Sequence, residues 1–220
     1  MSDFPFDAVL FDCDGVLVDS EPISNEVLAR MLSEQGLPTT LAQARHDYQG
    51  LLLADVAVRA QEKLGRALPA DWLADFERRR AAVFDAELQA VPGAAQAVKR
   101  AIAAGLAVCV ASQGKLSKTR RSLELTGLRH LFPDYALFSA YQVPRGKPHP
   151  DLFLHAARVM GAEPPDCLVI EDTPSGVSAA VCAGMPVLGY AADSDKTALR
   201  RAGAETFHSL HELPRMLGLD

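Results

Sequence analysis

Two acidic residues follow a short apolar run close to the start of the chain. The run Ala8–Phe11 is typical of a buried strand, and Asp12 and Asp14 come directly after it, with Gly15 as a flexible turn. A carboxylate at the end of a buried strand is costly unless something compensates its charge. Two such residues beside a glycine indicate a bound cation or a reacting group. We expect a magnesium ion, with Asp12 as a nucleophile that attacks phosphorus.

Other polar residues follow later apolar runs in the same way. Ser112 ends one run, Lys147 lies in the loop after another, and Glu171 with Asp172 ends a third. Because ligands bind at the carboxyl ends of strands in a doubly wound sheet, we expect all of these side chains to converge. The predicted site then holds four carboxylates, which repel one another without a cation. Oxygen ligands in a partly open site favour magnesium over zinc.

This combination suits the transfer of a phosphoryl group. Such a reaction requires positioning and charge neutralisation around phosphorus, and a carboxylate can form an acyl-phosphate intermediate. We expect Lys147 and Ser112 to hold the phosphate oxygens. We expect Asp14, two residues after Asp12 and displaced from it by the turn at Gly15, to protonate the leaving oxygen and then to deprotonate the attacking water.

The elements that position these residues alternate between apolar strands and helices. That alternation predicts an α/β protein with a Rossmann-like, doubly wound parallel sheet. A block of helical patterns interrupts it directly after the first strand, so we expect a core domain formed by residues 1–17 and 90–220 and an inserted α-helical cap domain at 18–89. We expect Trp72 to lie in the interior of the cap, and Leu73 to share a helix face with Phe76. The cap is expected to close over the substrate and to set specificity.

The composition of the chain limits the kinds of molecule that we expect it to bind. The 220 residues are 49% hydrophobic and 23% charged, with a formal net charge of −6. A general nucleic-acid binder needs a basic face, and no apolar run approaches a membrane span. The start of the chain lacks the pattern of a signal peptide, and the four cysteines lack C-x-x-C spacing. We expect a cytoplasmic protein with reduced thiols that acts on a small phosphorylated metabolite and binds neither nucleic acid nor membrane.

The motifs together resemble those of the haloacid dehalogenase-like hydrolase superfamily, in the branch with a helical cap after the first strand. The matching segments are FDCDGVLVDS, with the pattern D-x-D-G…D-S, then Ser112, Lys147 in GKPHPD, and IEDTPSG. The resemblance implies that Asp12 is the phosphorylated nucleophile and Asp14 the acid/base. It also implies that magnesium is bound by the Asp12 carboxylate, the Asp14 backbone carbonyl and Asp172. Glu171 then supports these ligands or reaches the metal through water.

Within that superfamily the chain is most similar to the β-phosphoglucomutase-like and sugar-phosphate phosphatase group. Two departures favour hydrolysis over a mutase reaction. The mutases carry a histidine where Ser24 stands, and an arginine that grips a second phosphate where Leu53 stands, three residues after Gly50. A phosphosugar mutase remains the alternative. Gln49, Gly50 and Gln113 are candidate substrate contacts.

Taken singly, each motif also has a plain structural interpretation. An Asp-Gly turn, a surface lysine, a helix-capping serine and an acidic pair at a helix N-terminus are all common. Their joint occurrence at successive strand ends favours a site. A phosphoacceptor signalling domain would also place acids, a hydroxyl and a lysine at strand ends. Such domains are smaller, lack an inserted cap and accept phosphate on a later strand.

Overall fold

The computed structural model describes residues 5–48, 51 and 53–219. The chain divides into two compact units. The core unit comprises Met1–Val18 and Gln89–Asp220, and the helical unit comprises Asp19–Leu88.

The core unit is built on a six-stranded sheet in which every adjacent pair is parallel. Its strands are β1 (Ala8–Phe11), β2 (Ala107–Ser112), β3 (Leu137–Ser139), β4 (Cys167–Glu171), β5 (Val187–Tyr190) and β6 (Glu205–Phe207). They lie in the order β3-β2-β1-β4-β5-β6, which is the order of Rossmann-type sheets. The predicted α/β class with a doubly wound parallel sheet is therefore confirmed.

Strand β1 is covered on both faces, as a central parallel strand must be. All four of its residues are fully buried. Ala8 and Leu10 belong to a core cluster that includes Phe153 of one helix and Val177 of another. Phe11 lies opposite Val110 of β2 and Ile170 of β4, so these three strands end at the same edge of the sheet.

Helices connect the strands of the core unit. They are α5 (Ala94–Ala103), α6 (Leu116–Leu125), α7 (Asp151–Met160), α8 (Pro174–Cys182), α9 (Lys196–Ala202) and α10 (Leu213–Met216), with short 3-10 turns at Arg129–Leu131, Asp134–Ala136, Ala140–Gln142 and Pro164–Asp166. The N-terminus of α8 is capped by Thr173, whose hydroxyl oxygen accepts a hydrogen bond from the Gly176 N–H. Across the described residues, no helix is both long enough and apolar enough to cross a membrane.

The helical unit contains α1 (Glu21–Glu34), α2 (Leu41–Tyr48), α3 (Leu53–Leu64) and α4 (Trp72–Glu87). Its interior includes Leu32, Trp72 and Phe76, and the two aromatic rings stack with centroids 6.2 Å apart. The prediction of an interior Trp72 is confirmed. The prediction for Leu73 was wrong, since that side chain is 39% exposed. Trp72, one position earlier, turns the larger apolar side chain into the interior, and Leu73 faces solvent.

Candidate active site

A buried ammonium joins the ends of three neighbouring strands. Lys147 Nζ lies 2.5 Å from Asp12 Oδ1, 2.6 Å from Glu171 Oε1 and 2.9 Å from the carbonyl oxygen of Ala111. Asp12 follows β1, and its backbone N–H donates to the carbonyl of Ile170 in β4 at 2.9 Å. The structure thus brings together three of the residues that the sequence analysis assigned to one site, although Lys147 comes from a loop 135 positions after Asp12.

Neighbouring buried charges influence the pKa values of Asp12 and Lys147. Burial raises the pKa of Asp12 to about 7; Lys147 opposes the rise, whereas the Glu171 and Asp14 carboxylates add to it. Burial by itself would lower the pKa of Lys147, but the Asp12 and Glu171 carboxylates outweigh that effect and raise it. Lys147 therefore stays protonated, as an ammonium. The Asp12 carboxyl, in contrast, changes its ionisation with pH near neutrality.

Glu171 is fully enclosed by protein donors. Its Oε1 accepts from Lys147, and its Oε2 accepts from the backbone N–H groups of Asp172 and Thr173 and from the Thr173 hydroxyl. A Cβ at Gly176 would lie 1.8 Å from Oε1, so the first turn of α8 can pack here only with glycine at that position. Both carboxylate oxygens thus contact protein groups, and a water-mediated role toward a metal stays a prediction.

Asp14 has a partner that the sequence analysis did not single out. Lys118, in the first turn of α6, donates to Asp14 Oδ1, and the two side chains are 21% and 28% exposed. The only signal in the sequence is a lysine in the helix that follows the strand ending at Ser112. Because α6 begins at the same edge of the sheet, a side chain from its first turn reaches the loop after β1.

The end of β2 supplies Ser112 and Gln113. Ser112 is fully buried, and its hydroxyl oxygen accepts from the Gly114 N–H at 3.1 Å. The side-chain amide of Gln113 contacts the backbone of Lys147. A substrate contact for Gln113 stays a prediction. The other two candidate substrate contacts, Gln49 and Gly50, lie outside the described residues.

Asp172 lies against the turn that follows Asp12. A Cβ at Gly15 would lie 2.1 Å from Asp172 Oδ2, and Gly15 has a φ of +79°. The turn therefore requires glycine both for its backbone conformation and for the approach of the Asp172 carboxylate. The Asp172 carboxylate, directly after β4, therefore lies beside the loop that carries Asp12 and Asp14.

The donor chemistry of these residues fits a hard divalent cation. Among the residues that the structure describes, the buried acidic and basic side chains are Asp12, Lys147, Glu171 and Asp172. These side chains comprise three carboxylates and one ammonium, an excess of buried negative charge that a divalent cation would offset. No group of three or more His, Cys, Asp or Glu side chains in the described part of the chain could hold a metal alone. A metal here would draw on a backbone carbonyl, and magnesium characteristically keeps water or phosphate oxygens among its ligands.

Comparison with known proteins places this arrangement in a family. The family model for haloacid dehalogenase-like hydrolases matches residues 6–184. The chain is 33% identical over 211 residues to the 6-phosphogluconate phosphatase of Escherichia coli strain K12, covering 96% of this chain and 94% of that protein.

Solved structures agree. A hydrolase of the same superfamily from Deinococcus radiodurans, solved with bound phosphate and sodium, superposes with a TM-score of 0.84 at 34% identity, over 99% of this chain and 98% of that chain. A Thermotoga maritima protein that carries the provisional name β-phosphoglucomutase gives a TM-score of 0.78 at 27% identity, over 97% of this chain and 99% of that one. The resemblance inferred from the motifs is confirmed, and the chain belongs to the haloacid dehalogenase-like hydrolases.

Proposed function

We propose that this hydrolase is a magnesium-dependent phosphatase that releases phosphate from a small sugar or sugar-acid monophosphate through an aspartyl-phosphate on Asp12. The comparisons show the enzyme class: the chain is a phosphoric monoester hydrolase. The metal, the intermediate and the kind of substrate are the proposal.

The observation that carries the proposal is the contact of Lys147 with Asp12. An ammonium lies 2.5 Å from a buried carboxylate oxygen, so this position can stabilise negative charge. Lys147 can hold a phosphate oxygen next to the carboxylate that attacks phosphorus, and so offset the repulsion between the two anions. The neighbouring Ser112 hydroxyl, buried at the end of β2, can donate to a second phosphate oxygen.

The proposed first step forms one bond and breaks another. A carboxylate oxygen of Asp12 attacks phosphorus, and the ester bond between phosphorus and the sugar oxygen breaks. Asp14 in its acid form gives its proton to the leaving oxygen, which departs as an alcohol. The product of this step is an acyl phosphate on Asp12.

The second step regenerates the enzyme. Asp14, now a carboxylate, removes a proton from a water molecule while the oxygen of that water attacks phosphorus. The bond between phosphorus and the Asp12 carboxylate oxygen breaks. Inorganic phosphate leaves, Asp12 returns as a carboxylate, and Asp14 is again protonated. The ammonium of Lys118 contacts Asp14 Oδ1 and so fixes the orientation of the side chain that moves the proton in both steps.

Magnesium would be held by the Asp12 carboxylate, the Asp14 backbone carbonyl and Asp172. When bound there, it would supply positive charge against the phosphate oxygens and the surplus carboxylates. The support for this ligand set is the oxygen-only chemistry of the site and the close approach of Asp172 to Gly15.

The kind of substrate is inferred from relatives. The Escherichia coli relatives bear the names 6-phosphogluconate phosphatase and hexitol phosphatase A, and both align with more than nine-tenths of this chain. A phosphorylated sugar, sugar alcohol or sugar acid is thus the class to test first. The name of the Thermotoga maritima neighbour keeps a mutase as the second candidate. Ser24 and Leu53, which replace the histidine and arginine expected of a mutase, favour the phosphatase.

The deciding experiment is a screen of sugar and sugar-acid monophosphates with released phosphate as the readout. The screen is run with magnesium, with a chelator, and with a bisphosphate sugar added as a mutase activator. The proposal expects magnesium-dependent phosphate release that the bisphosphate does not increase. Conversion of one sugar phosphate isomer into another, dependent on the bisphosphate, would establish the mutase instead. A wild-type protein that neither releases phosphate from any compound, p-nitrophenyl phosphate included, nor interconverts sugar phosphate isomers would refute both.

A further inference from the structure

The side-chain amide of Gln113 makes hydrogen bonds to both backbone groups of Lys147, its N–H and its carbonyl. Its Oε1 accepts from the Lys147 N–H at 3.0 Å, and its Nε2 donates to the Lys147 carbonyl at 3.4 Å. This paired donation and acceptance is the pattern by which one strand holds its neighbour. A single side chain at the end of β2 therefore does for Lys147 what an adjacent strand would do.

Lys147 needs such support because no strand holds it. It lies in the loop between the 3-10 turn Ala140–Gln142 and α7, whereas Asp12 and Glu171 are fixed by the sheet. Its ammonium must meet three acceptors at once, on the ends of β1, β2 and β4. A small displacement of the loop backbone would break that arrangement.

The residue before Lys147 is adapted to this contact. A Cβ at Gly146 would lie 2.7 Å from both Nε2 and Oε1 of Gln113. The φ of Gly146 is not in the left-handed region, so backbone strain does not explain the glycine. The absence of a side chain is what lets the amide of Gln113 lie flat against the loop.

We propose that Gln113 is a positioning residue that places the Lys147 ammonium, an inference that rests on the phosphatase function proposed above. The amide acts on the backbone, and the ammonium acts on the phosphoryl group. This role differs from the substrate contact expected from the sequence, and the two roles give different kinetics. Lys147 serves the transferred group, which is common to every substrate, whereas a substrate contact serves the leaving group.

The test compares Gln113→Met with a matched control, Gln142→Met. Gln142 also binds backbone with its amide, accepting from the Ser139 N–H at 2.8 Å, but it has no contact with Lys147 among the described hydrogen bonds. Both variants are assayed with p-nitrophenyl phosphate and with the fastest substrate of the screen. Inorganic phosphate is titrated as an inhibitor, and thermal unfolding is recorded for each protein.

For Gln113→Met we expect kcat to fall about 10-fold or more with both substrates and by the same factor, because a small misplacement of a positioning group is costly. Inhibition by inorganic phosphate should weaken in parallel. Gln142→Met should keep activity close to that of the wild type. A loss confined to the sugar substrate would assign Gln113 to the leaving group and overturn the proposal. Equal activities of the two variants would overturn it as well.

Gly146→Ala approaches the same contact from the other side and guards against misfolding of the first variant. The three atoms nearest to its new methyl group all belong to the flexible end of Gln113, so the fold should persist while the amide is displaced. The same fall in kcat with both substrates is expected, and normal kinetics would contradict the proposal. Failure of the proposed function is seen separately, as an inactive wild type. In that case crystal structures of the wild type and Gln113→Met still test the inference. It requires the Lys147 ammonium to lie farther from Asp12 in the variant than in the wild type, and an unchanged position would overturn it.

Discussion

Lys147 lies between Asp12 and Glu171, with its ammonium 2.5 Å from one carboxylate and 2.6 Å from the other. The side chains of all three residues are less than a tenth exposed. One positive charge is thus shared by two negative charges in a place from which water is largely excluded. Lys147 should therefore affect both the stability of the protein and the ionisation of Asp12.

Replacement of Lys147 by methionine should destabilise the protein by about 3 kcal/mol, because it leaves two buried carboxylates without their cation. The free energy of unfolding from urea denaturation at pH 8 measures this loss. Adding Glu171→Gln to Lys147→Met should recover part of the loss, since it removes one of the stranded charges.

The control for this prediction is Lys63→Met in the helical unit. Lys63 and Asp47 also lie 2.5 Å apart, but their side chains are 42% and 29% exposed. A solvated pair of this kind contributes little to stability, so Lys63→Met should lower the free energy of unfolding far less than Lys147→Met. Equal losses for Lys147→Met and Lys63→Met would show that the Lys147 cluster is not the desolvated group described above.

Magnesium binding should release a proton near pH 6.5. Burial raises the pKa of Asp12 to about 7, with Lys147 opposing and Glu171 and Asp14 adding to the rise. At pH 6.5 the metal-free protein therefore carries Asp12 largely protonated, and a bound cation favours the ionised form. Magnesium affinity should increase as the pH rises through about 7 and level off above it.

Calorimetric titration in two buffers of different ionisation enthalpy measures the released proton. The Asp12→Asn variant has no proton to release at this position and serves as the control. Proton release of the same size from wild type and Asp12→Asn would mean that another group is the one displaced.

Asp14→Asn should separate the two halves of the reaction. p-Nitrophenolate leaves without needing a proton, so the first step on p-nitrophenyl phosphate should proceed in this variant while hydrolysis of the intermediate slows. Stopped-flow absorbance should show a burst of p-nitrophenol approaching one equivalent per enzyme, followed by slow turnover. On a sugar phosphate, whose leaving group does need a proton, no such burst should occur. A steady rate without a burst on p-nitrophenyl phosphate would remove Asp14 from the second step.

The sequence was sufficient to predict the sheet and the edge at which the site lies. The run Ala8–Phe11 is apolar without alternation, which indicates a strand buried on both faces, and all four residues are fully buried. The prediction that polar residues cluster at strand ends needed only the rule that parallel strands end at one edge. Asp12, Lys147 and Glu171 meet there in the structure.

Contacts that depend on side-chain direction could not be predicted in this way. Lys118 reaches Asp14 because α6 starts at the same sheet edge, and nothing in its sequence neighbourhood distinguishes it from a surface lysine. The amide of Gln113 is directed at the Lys147 backbone by the path of a loop, which periodicity does not specify. Leu73 shows the same limit in the helical unit, where a rotation of one position exchanges the buried and exposed residues of α4.

Replacement of Asp12 by asparagine should abolish turnover while the protein stays folded. Loss of a nucleophile costs on the order of 1,000-fold or more in kcat. Phosphate release from the best substrate measures the effect, and thermal unfolding checks the fold. Near-normal activity in a folded Asp12→Asn protein would exclude Asp12 as the nucleophile.

The most direct test of the account is to trap the phosphorylated enzyme. The Asp14→Asn variant is mixed with p-nitrophenyl phosphate and magnesium, quenched in acid during turnover, and digested for peptide mapping by mass spectrometry. We predict one phosphoryl group on the peptide that contains Asp12, and none when Asp12→Asn is added to the same protein. A phosphoryl group on any other residue, or substrate turnover with no phosphorylated peptide at all, would contradict the account.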